Sequence, residues 1–336
     1  MTDNRRVVCI SNVASQRGVD QAAALTEALA AFPNTQQLVT ANVEQLHATL
    51  ATAQLTAADL LVINGGDGSL QAVLSWFAAR YGSSAAAAAS HDSPIIAVLP
   101  GGSTNMSAYD INQHRRFDAC LNGLVEQLTS STAPIALDRP VLRVVDAQHT
   151  RAGFFCGVGA IVQGIEYCHA QLYAAGAQRR EFTAGLAMAR AIWGVLRKQP
   201  PFSDSQPISL AAFGPETVAS QTPYKVLNPD SGVLMLAAST LQRLLVGARP
   251  HWGNEPGALR FTLVERDRRG LWFRLPGLLG IGRLPRPLAG AGYHSHNCHR
   301  LTLSMSGGYT IDGELFSPET NQITLDAELV FRFLPL

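Results

Sequence analysis

The segment Asp59-Leu60-Leu61-Val62-Ile63-Asn64-Gly65-Gly66-Asp67-Gly68-Ser69-Leu70 decides how the first half of this chain is read. Residues 59–64 are a short apolar run that ends on turn residues, the pattern of a buried strand. From Ser69 to Phe77, apolar residues at 70, 73, 74 and 77 fall on one face of a helix. Glycines between strand and helix aim backbone N–H groups and the positive end of the helix dipole at one spot, which suits phosphate. Asp67 stands inside that cradle, where a bare carboxylate repels an anion. Its presence calls for a divalent cation between acid and phosphates, or for a substrate hydroxyl that it handles. The turn has neither the Lys-Ser/Thr ending of a Walker A loop nor the G-x-G-x-x-G spacing of a dinucleotide site.

Working outward, strand and helix alternate through the first 135 residues. Strands are expected at 7–10, 37–40, 59–64 and 95–99, and helices at 20–31, 43–53, 69–77 and 117–128. Such alternation implies a doubly wound parallel sheet with ligands gathered at the carboxyl ends of its strands. The low-complexity run after Gly82, rich in alanine, reads as a surface insertion. Beyond Pro134 the rhythm changes to short β-branched or alternating segments, at 139–145, 152–156, 208–213, 232–237, 258–264, 301–305 and 323–325. That pattern predicts an antiparallel, sandwich-like domain, interrupted by one helical block at 163–198. The expected division is an α/β domain over 1–135 and a β-rich domain over 136–336, with a cleft between them.

Composition narrows the function classes. A chain of 336 residues fits two domains, and a formal net charge of +1 argues against a nucleic-acid protein with a broad basic face. No stretch approaches the roughly 20 uninterrupted apolar residues of a spanning helix, and no apolar signal core opens the chain. Cys9, Cys120, Cys156, Cys168 and Cys298 are scattered without a C-x-x-C pair, as expected of reduced thiols in a cytoplasmic protein. His294, His296, Cys298 and His299 are close together, but their spacing matches no zinc finger, and a loop leading into a strand is the expected reading. Residues 268–290 hold five arginines and no acid among leucines and aromatics, a composition that suits either an anionic membrane surface or a cover on the sandwich.

The strand 95–99 runs into Pro100-Gly101-Gly102-Ser103-Thr104-Asn105-Met106, a second glycine turn loaded with hydroxyls and an amide. Near the chain's end, Asp312-Gly313-Glu314 sits between Tyr309-Thr310-Ile311 and Leu315-Phe316, which by itself reads as a hairpin turn. With G-G-D-G-[ST] at Gly65–Ser69, these blocks resemble, in order and spacing, the diacylglycerol kinase catalytic-domain family. That family comprises bacterial lipid kinases similar to sphingosine and ceramide kinases, and the likeness runs over nearly the whole length. It implies an ATP-dependent lipid kinase that transfers the γ-phosphoryl group to a lipid hydroxyl, with Mg²⁺ bridging the phosphates.

By that resemblance Gly65, Gly66, Asp67, Gly68 and Ser69 line the nucleotide phosphates, joined by Gly102, Ser103, Thr104 and Asn105. Asn12, which opens the counterpart of the family's N-P-x-[SA]-G block, and Thr40, at the end of the second strand, are further nucleotide contacts. Glu314 would be the general base, with Asp67 and Asp312 as the other catalytic acids. Glu255, in the nearest match to an acidic metal-site turn, is the candidate metal ligand. The chain departs from the family pattern in lacking the proline after Asn12, in Ser103 for threonine and in Met106 for aspartate. The implied partners are a lipid substrate and a peripheral contact with the inner face of a membrane, with a homodimer allowed and no nucleic acid. A NAD kinase shares G-G-D-G but needs an Asn-Glu pair where this chain has Thr104-Asn105-Met106. A non-catalytic nucleotide- or lipid-binding protein of the same fold is the other alternative, against which the retained Asp67, Asp312 and Glu314 speak.

Overall fold

A computed structural model of the chain describes residues 5–81 except 15, then 92–102, 104–130, 132 and 135–175. It further describes 190–278, except 191, 192, 195, 196, 198, 201, 203, 216–220, 245 and 246, and lastly 291–336. The alanine-rich stretch 82–91, Ser103, residues 176–189 of the expected helical block and 279–290 of the basic apolar stretch lie outside the described residues. Two compact units are present. The first is 1–143 with 150–153 and 328–336, and the second is 144–149 with 154–327.

In the first unit the continuous apolar runs become strands buried along their whole length: β1 (Val7–Asn12), β3 (Leu60–Gly65) and β4 (Ile95–Pro100). Strands that hide both faces have no need of polar alternation, which is why these segments read as unbroken Val, Ile and Leu. With β2 (Thr35–Thr40), β5 (Leu137–Pro140) and β18 (Val330–Leu334) they form one sheet in the order β2-β1-β3-β4-β18-β5. The pairings from β2 through β18 are parallel, and β5 runs antiparallel to β18. Helices α1 (Gln16–Ala28) and α5 (Phe117–Thr129) close one face over Val7, Cys9, Leu60, Val62, Ala97 and Leu99. Helices α2 (Val43–Thr52) and α3 (Asp67–Tyr81) complete the winding. The order reverses between β1 and β3, and such a switch point leaves a crevice at the strands' carboxyl ends. Register places Asn12 beside Thr40, Ser11 beside Asn64, and Gly65 beside Pro100 along that edge. A short helix α4 (Met106–Ile111) follows β4.

The doubly wound parallel sheet and the antiparallel sheets after it are as expected from the sequence. The boundary differs from one at residue 135, because β18 returns to pair with β4 and β5 in the first unit. Two further six-stranded sheets are present. One is ordered β10-β9-β14-β17-β6-β7: β6 (Leu142–Asp146), β7 (His149–Gly153), β9 (Ser209–Phe213), β10 (Lys225–Leu227), β14 (Arg300–Ser304) and β17 (Gln322–Asp326). The other is ordered β13-β12-β11-β8-β15-β16 and is antiparallel throughout. It comprises β8 (Phe155–Gly159), β11 (Val233–Ser239), β12 (Leu259–Glu265), β13 (Tyr293–Cys298), β15 (Tyr309–Ile311) and β16 (Glu314–Phe316). Helix α6 (Ala160–Ala175) follows β8, and α7 (Leu271–Leu278) follows β12. Residues 293–298 are thus strand throughout, where the sequence pointed to a loop and a strand start. All five cysteines are free and buried. Among the described residues no helix is long and apolar enough to cross a membrane.

Candidate active site

Two glycine turns meet backbone to backbone at the carboxyl edge of the first sheet. Helix α3 begins at Asp67, so the N–H groups of Asp67 and Gly68 have no acceptor within the helix. Those of Ser69 and Leu70 return to the Gly66 carbonyl at 3.0 and 3.2 Å. A side chain at Gly65 would press its Cβ to 2.7 Å from both Cβ and Oγ of Ser69. The Ser69 hydroxyl accepts the Asn12 amide N–H at 2.9 Å, and Asn12 Oδ1 accepts the Ala14 N–H at 3.0 Å. Asn12 therefore ties the end of β1 to the start of α3. Thr40 is buried and its carbonyl accepts the Val13 N–H at 2.9 Å.

The second turn lies directly on the first. Gly101 donates its N–H to the Gly65 carbonyl at 3.0 Å, and a Cβ on Gly101 would stand 2.9 Å from the Gly65 nitrogen. A Cβ on Gly102 would stand 2.5 Å from the Gly66 Cα. Asn105, in the left-handed conformation with φ of 50°, closes the loop reciprocally. Its Oδ1 accepts the Gly102 N–H and its Nδ2 donates to the Gly102 carbonyl, both at 2.7 Å. Thr104 is exposed at the rim.

Asp67 joins the two turns. Only 7 % exposed, it accepts the Met106 N–H on Oδ2 and the Ser107 N–H on Oδ1, each at 2.9 Å. These are the opening N–H groups of α4, so the carboxylate anchors the second loop against the first. The Asp67 carboxylate is thus already met by two backbone donors. Met106 takes part in this contact through its backbone N–H alone. Sequence reasoning passed over Asn64, whose Nδ2 donates to Ser11 Oγ at 3.2 Å while its Oδ1 is buried without a partner. The available signal was an amide closing an otherwise apolar strand.

In the second unit, Asp312 and Gly313 are the two central residues of a hairpin, with φ of 50° and 97°. Positive φ at both defines the type I′ turn that Asp-Gly favours. The Asp312 carboxylate is turned inward: the Phe154 N–H reaches Oδ2 at 2.9 Å and Oδ1 at 3.2 Å, and the Phe155 N–H reaches Oδ1 at 2.9 Å. Glu314, paired through its backbone with Ile311, leaves its side chain exposed.

Glu255 is held within its own unit. Oε1 meets His296 Nδ1 at 2.5 Å and Oε2 accepts the Asn297 N–H at 3.0 Å. Burial pushes this carboxyl up, but the bonds from His296 and Asn297 outweigh it and leave Glu255 below the usual glutamate range. His294 pairs with Glu265 at 2.8 Å. Among the described residues no group of three or more His, Cys, Asp or Glu side chains is placed to hold a metal ion. Asp67, Asp312 and Glu255 each accept hydrogen bonds on both oxygens.

The sign of a pH effect follows from Glu255. A lowered pKa in the folded state contributes stability that is complete above the unfolded value, near 4.5, and is lost as pH falls through the folded value. Urea midpoints measured between pH 6 and pH 3 are expected to fall more steeply for the natural chain than for Glu255→Gln. Parallel declines would remove Glu255 from the acid sensitivity.

Residues 6–136 match the diacylglycerol kinase catalytic domain family, and that region is of this family. No curated protein matches the chain. Among solved structures, a presumed diacylglycerol kinase from Bacillus anthracis str. Sterne is 14% identical with a TM-score of 0.62, covering 99% of this chain and 97% of its own. A second presumed diacylglycerol kinase from that organism gives 13% identity and a TM-score of 0.60 over 98% and 96%. A crystal structure described as a diacylglycerol kinase, from the same organism, gives 14% and 0.59 over 99% and 97%. At these identities the likeness establishes the shared fold.

Proposed function

We propose that this chain, with a kinase-family domain of the diacylglycerol kinase catalytic type over residues 6–136, is an ATP-dependent lipid kinase. The observation that carries the reading is the pair of interlocked glycine turns at the switch point of the sheet. Their free helix-start N–H groups at Asp67 and Gly68 face the place where phosphates are expected. Mg²⁺ enters as part of the substrate, MgATP, and neutralises phosphate charge there. The acceptor hydroxyl oxygen attacks the γ-phosphorus, the bond from that phosphorus to the β–γ bridging oxygen breaks, and ADP leaves. The hydroxyl proton passes to the Glu314 carboxylate. Asp67 contributes by holding the two turns together.

The test is incubation of the purified chain with Mg²⁺, γ-labelled ATP and micelles of diacylglycerol, monoacylglycerol, phosphatidylglycerol, sphingosine or ceramide. Label in one lipid supports the kinase and identifies its acceptor. ATP binding without label in any lipid favours a non-catalytic nucleotide-binding protein, and absence of ATP binding removes the phosphate-cradle reading.

A lipid acceptor has to be met at a surface. Leu271, Leu275 and Leu278 of α7 pack with Val264, Ala291 and Tyr293, whereas Phe273 is 91 % exposed. Arg266 and Arg269 are exposed nearby, and Asp267 is the only acid between 266 and 278. An aromatic among arginines suits an anionic lipid surface. Burying a phenylalanine contributes about 1.5–3 kcal/mol, so Phe273→Glu is expected to weaken sedimentation with anionic vesicles by about tenfold or more. Turnover of a soluble short-chain acceptor should stay unchanged. Equal losses in both assays would contradict the membrane role.

A further inference from the structure

We propose that Asp312 is a positioning residue for Glu314, acting on transfer through the backbone of Phe154 and Phe155 rather than by touching the reactants. This rests on the reading of Glu314 as the base. The hairpin that carries Glu314 has strands of only three residues, and β16 is the edge of its sheet. A ladder that short is marginal by itself. Its tip is an Asp-Gly turn with positive φ at both central residues, so the direction in which Glu314 is presented is set by that turn.

The turn is held by its bonds. Asp312 is only 9 % exposed, and its carboxylate accepts N–H groups from two successive residues. Its own N–H returns to the Phe155 carbonyl at 3.0 Å, so the contact is reciprocal. The clamp stands on a fixed base. The Phe154 carbonyl accepts the Ser239 hydroxyl at 2.8 Å and the Thr240 N–H at 3.1 Å. Ser239 Oγ in turn accepts the Leu241 N–H at 3.0 Å. Asp312 thereby transmits the rigidity of the β8 and β11 ends to the turn whose next residue but one is Glu314.

Misplacing a reacting group by about 1 Å can cost about 100-fold in rate. Asp312→Asn keeps the shape but turns one acceptor into a donor facing N–H groups. It is expected to lower kcat about 10- to 100-fold while the KM for ATP stays within about twofold. The deciding measurement is a cycle of natural chain, Asp312→Asn, Glu314→Ala and the double variant, each assayed with MgATP and the identified acceptor. Acting through Glu314, Asp312→Asn should slow the Glu314→Ala protein by no more than about twofold. An undiminished loss in that background overturns the positioning role and assigns Asp312 an independent contact. A Glu314→Ala chain as fast as the natural one overturns the base assignment instead, and the positioning role with it. Should Asp312→Asn fail to show a cooperative melting transition, Asp312→Ser, which still accepts one N–H, is read in the same cycle.

Discussion

Gly102→Ala is expected to lower both ATP affinity and turnover by about 100-fold or more. The added Cβ would stand 2.5 Å from the Cα of Gly66. Carbon atoms rest at about 3.5–4.0 Å, so the two turns have to part by about 1 Å. The obstacle is backbone, with no rotamer to move aside. Parting them strains the Gly101 to Gly65 bond and the two N–H bonds to Asp67 that hold the cradle closed. Overpacking of this kind costs about 1–3 kcal/mol of stability, which the unit can survive while its phosphate geometry does not. The matched control is Gly123→Ala in α5, whose Cβ would meet Leu336 at an ordinary 3.5 Å. That change should leave ATP binding intact and stabilise the helix by about 0.5–1 kcal/mol. Calorimetric titration with MgATP separates the two, and a Gly102→Ala chain that binds ATP normally would show that the turns have slack.

Much of this arrangement is legible in the sequence, for identifiable reasons. Strands buried on both faces leave continuous runs such as Leu60–Ile63 and Ile95–Leu99, and a tight strand-to-helix turn leaves its glycines. Asp312-Gly313 announces its hairpin because few other pairs take positive φ at two successive positions. What stays hidden is partnership over distance. Val330–Leu334 has no local mark of belonging to the first unit, because its neighbours in the sheet lie some 200 residues earlier. Gly102 looks like a phosphate ligand, yet its most immediate constraint is the other loop's backbone. Asp67 and Asp312 look alike as candidate catalytic acids. Each is a buried carboxylate receiving two successive backbone N–H groups, and that function is set by residues 39 and 158 positions away, respectively. The pairing of Glu255 with His296, 41 positions away, is equally unmarked in the sequence.

Glu314→Ala tests the chemistry apart from binding. An alcohol has a high pKa, and base assistance in such a transfer is worth roughly 100- to 10,000-fold, so a kcat loss in that range is expected. Activity should not vanish, because phosphoryl transfer depends chiefly on alignment and charge neutralisation, and the glycine turns are untouched by this substitution. The side chain is exposed while its backbone keeps the Ile311 pairing, so the fold should be unaffected and the melting temperature close to unchanged. ATP affinity should likewise be retained, the converse of Gly102→Ala. Glu314→Gln sharpens the comparison: an amide preserves size and can accept a hydrogen bond, but it cannot take the proton. A loss in Glu314→Gln as deep as in Glu314→Ala identifies proton acceptance as the contribution. A Glu314→Gln chain that turns over nearly as fast as the natural one would reduce Glu314 to a hydrogen-bonding partner of the acceptor, leaving the proton to be taken by water or by the phosphate itself.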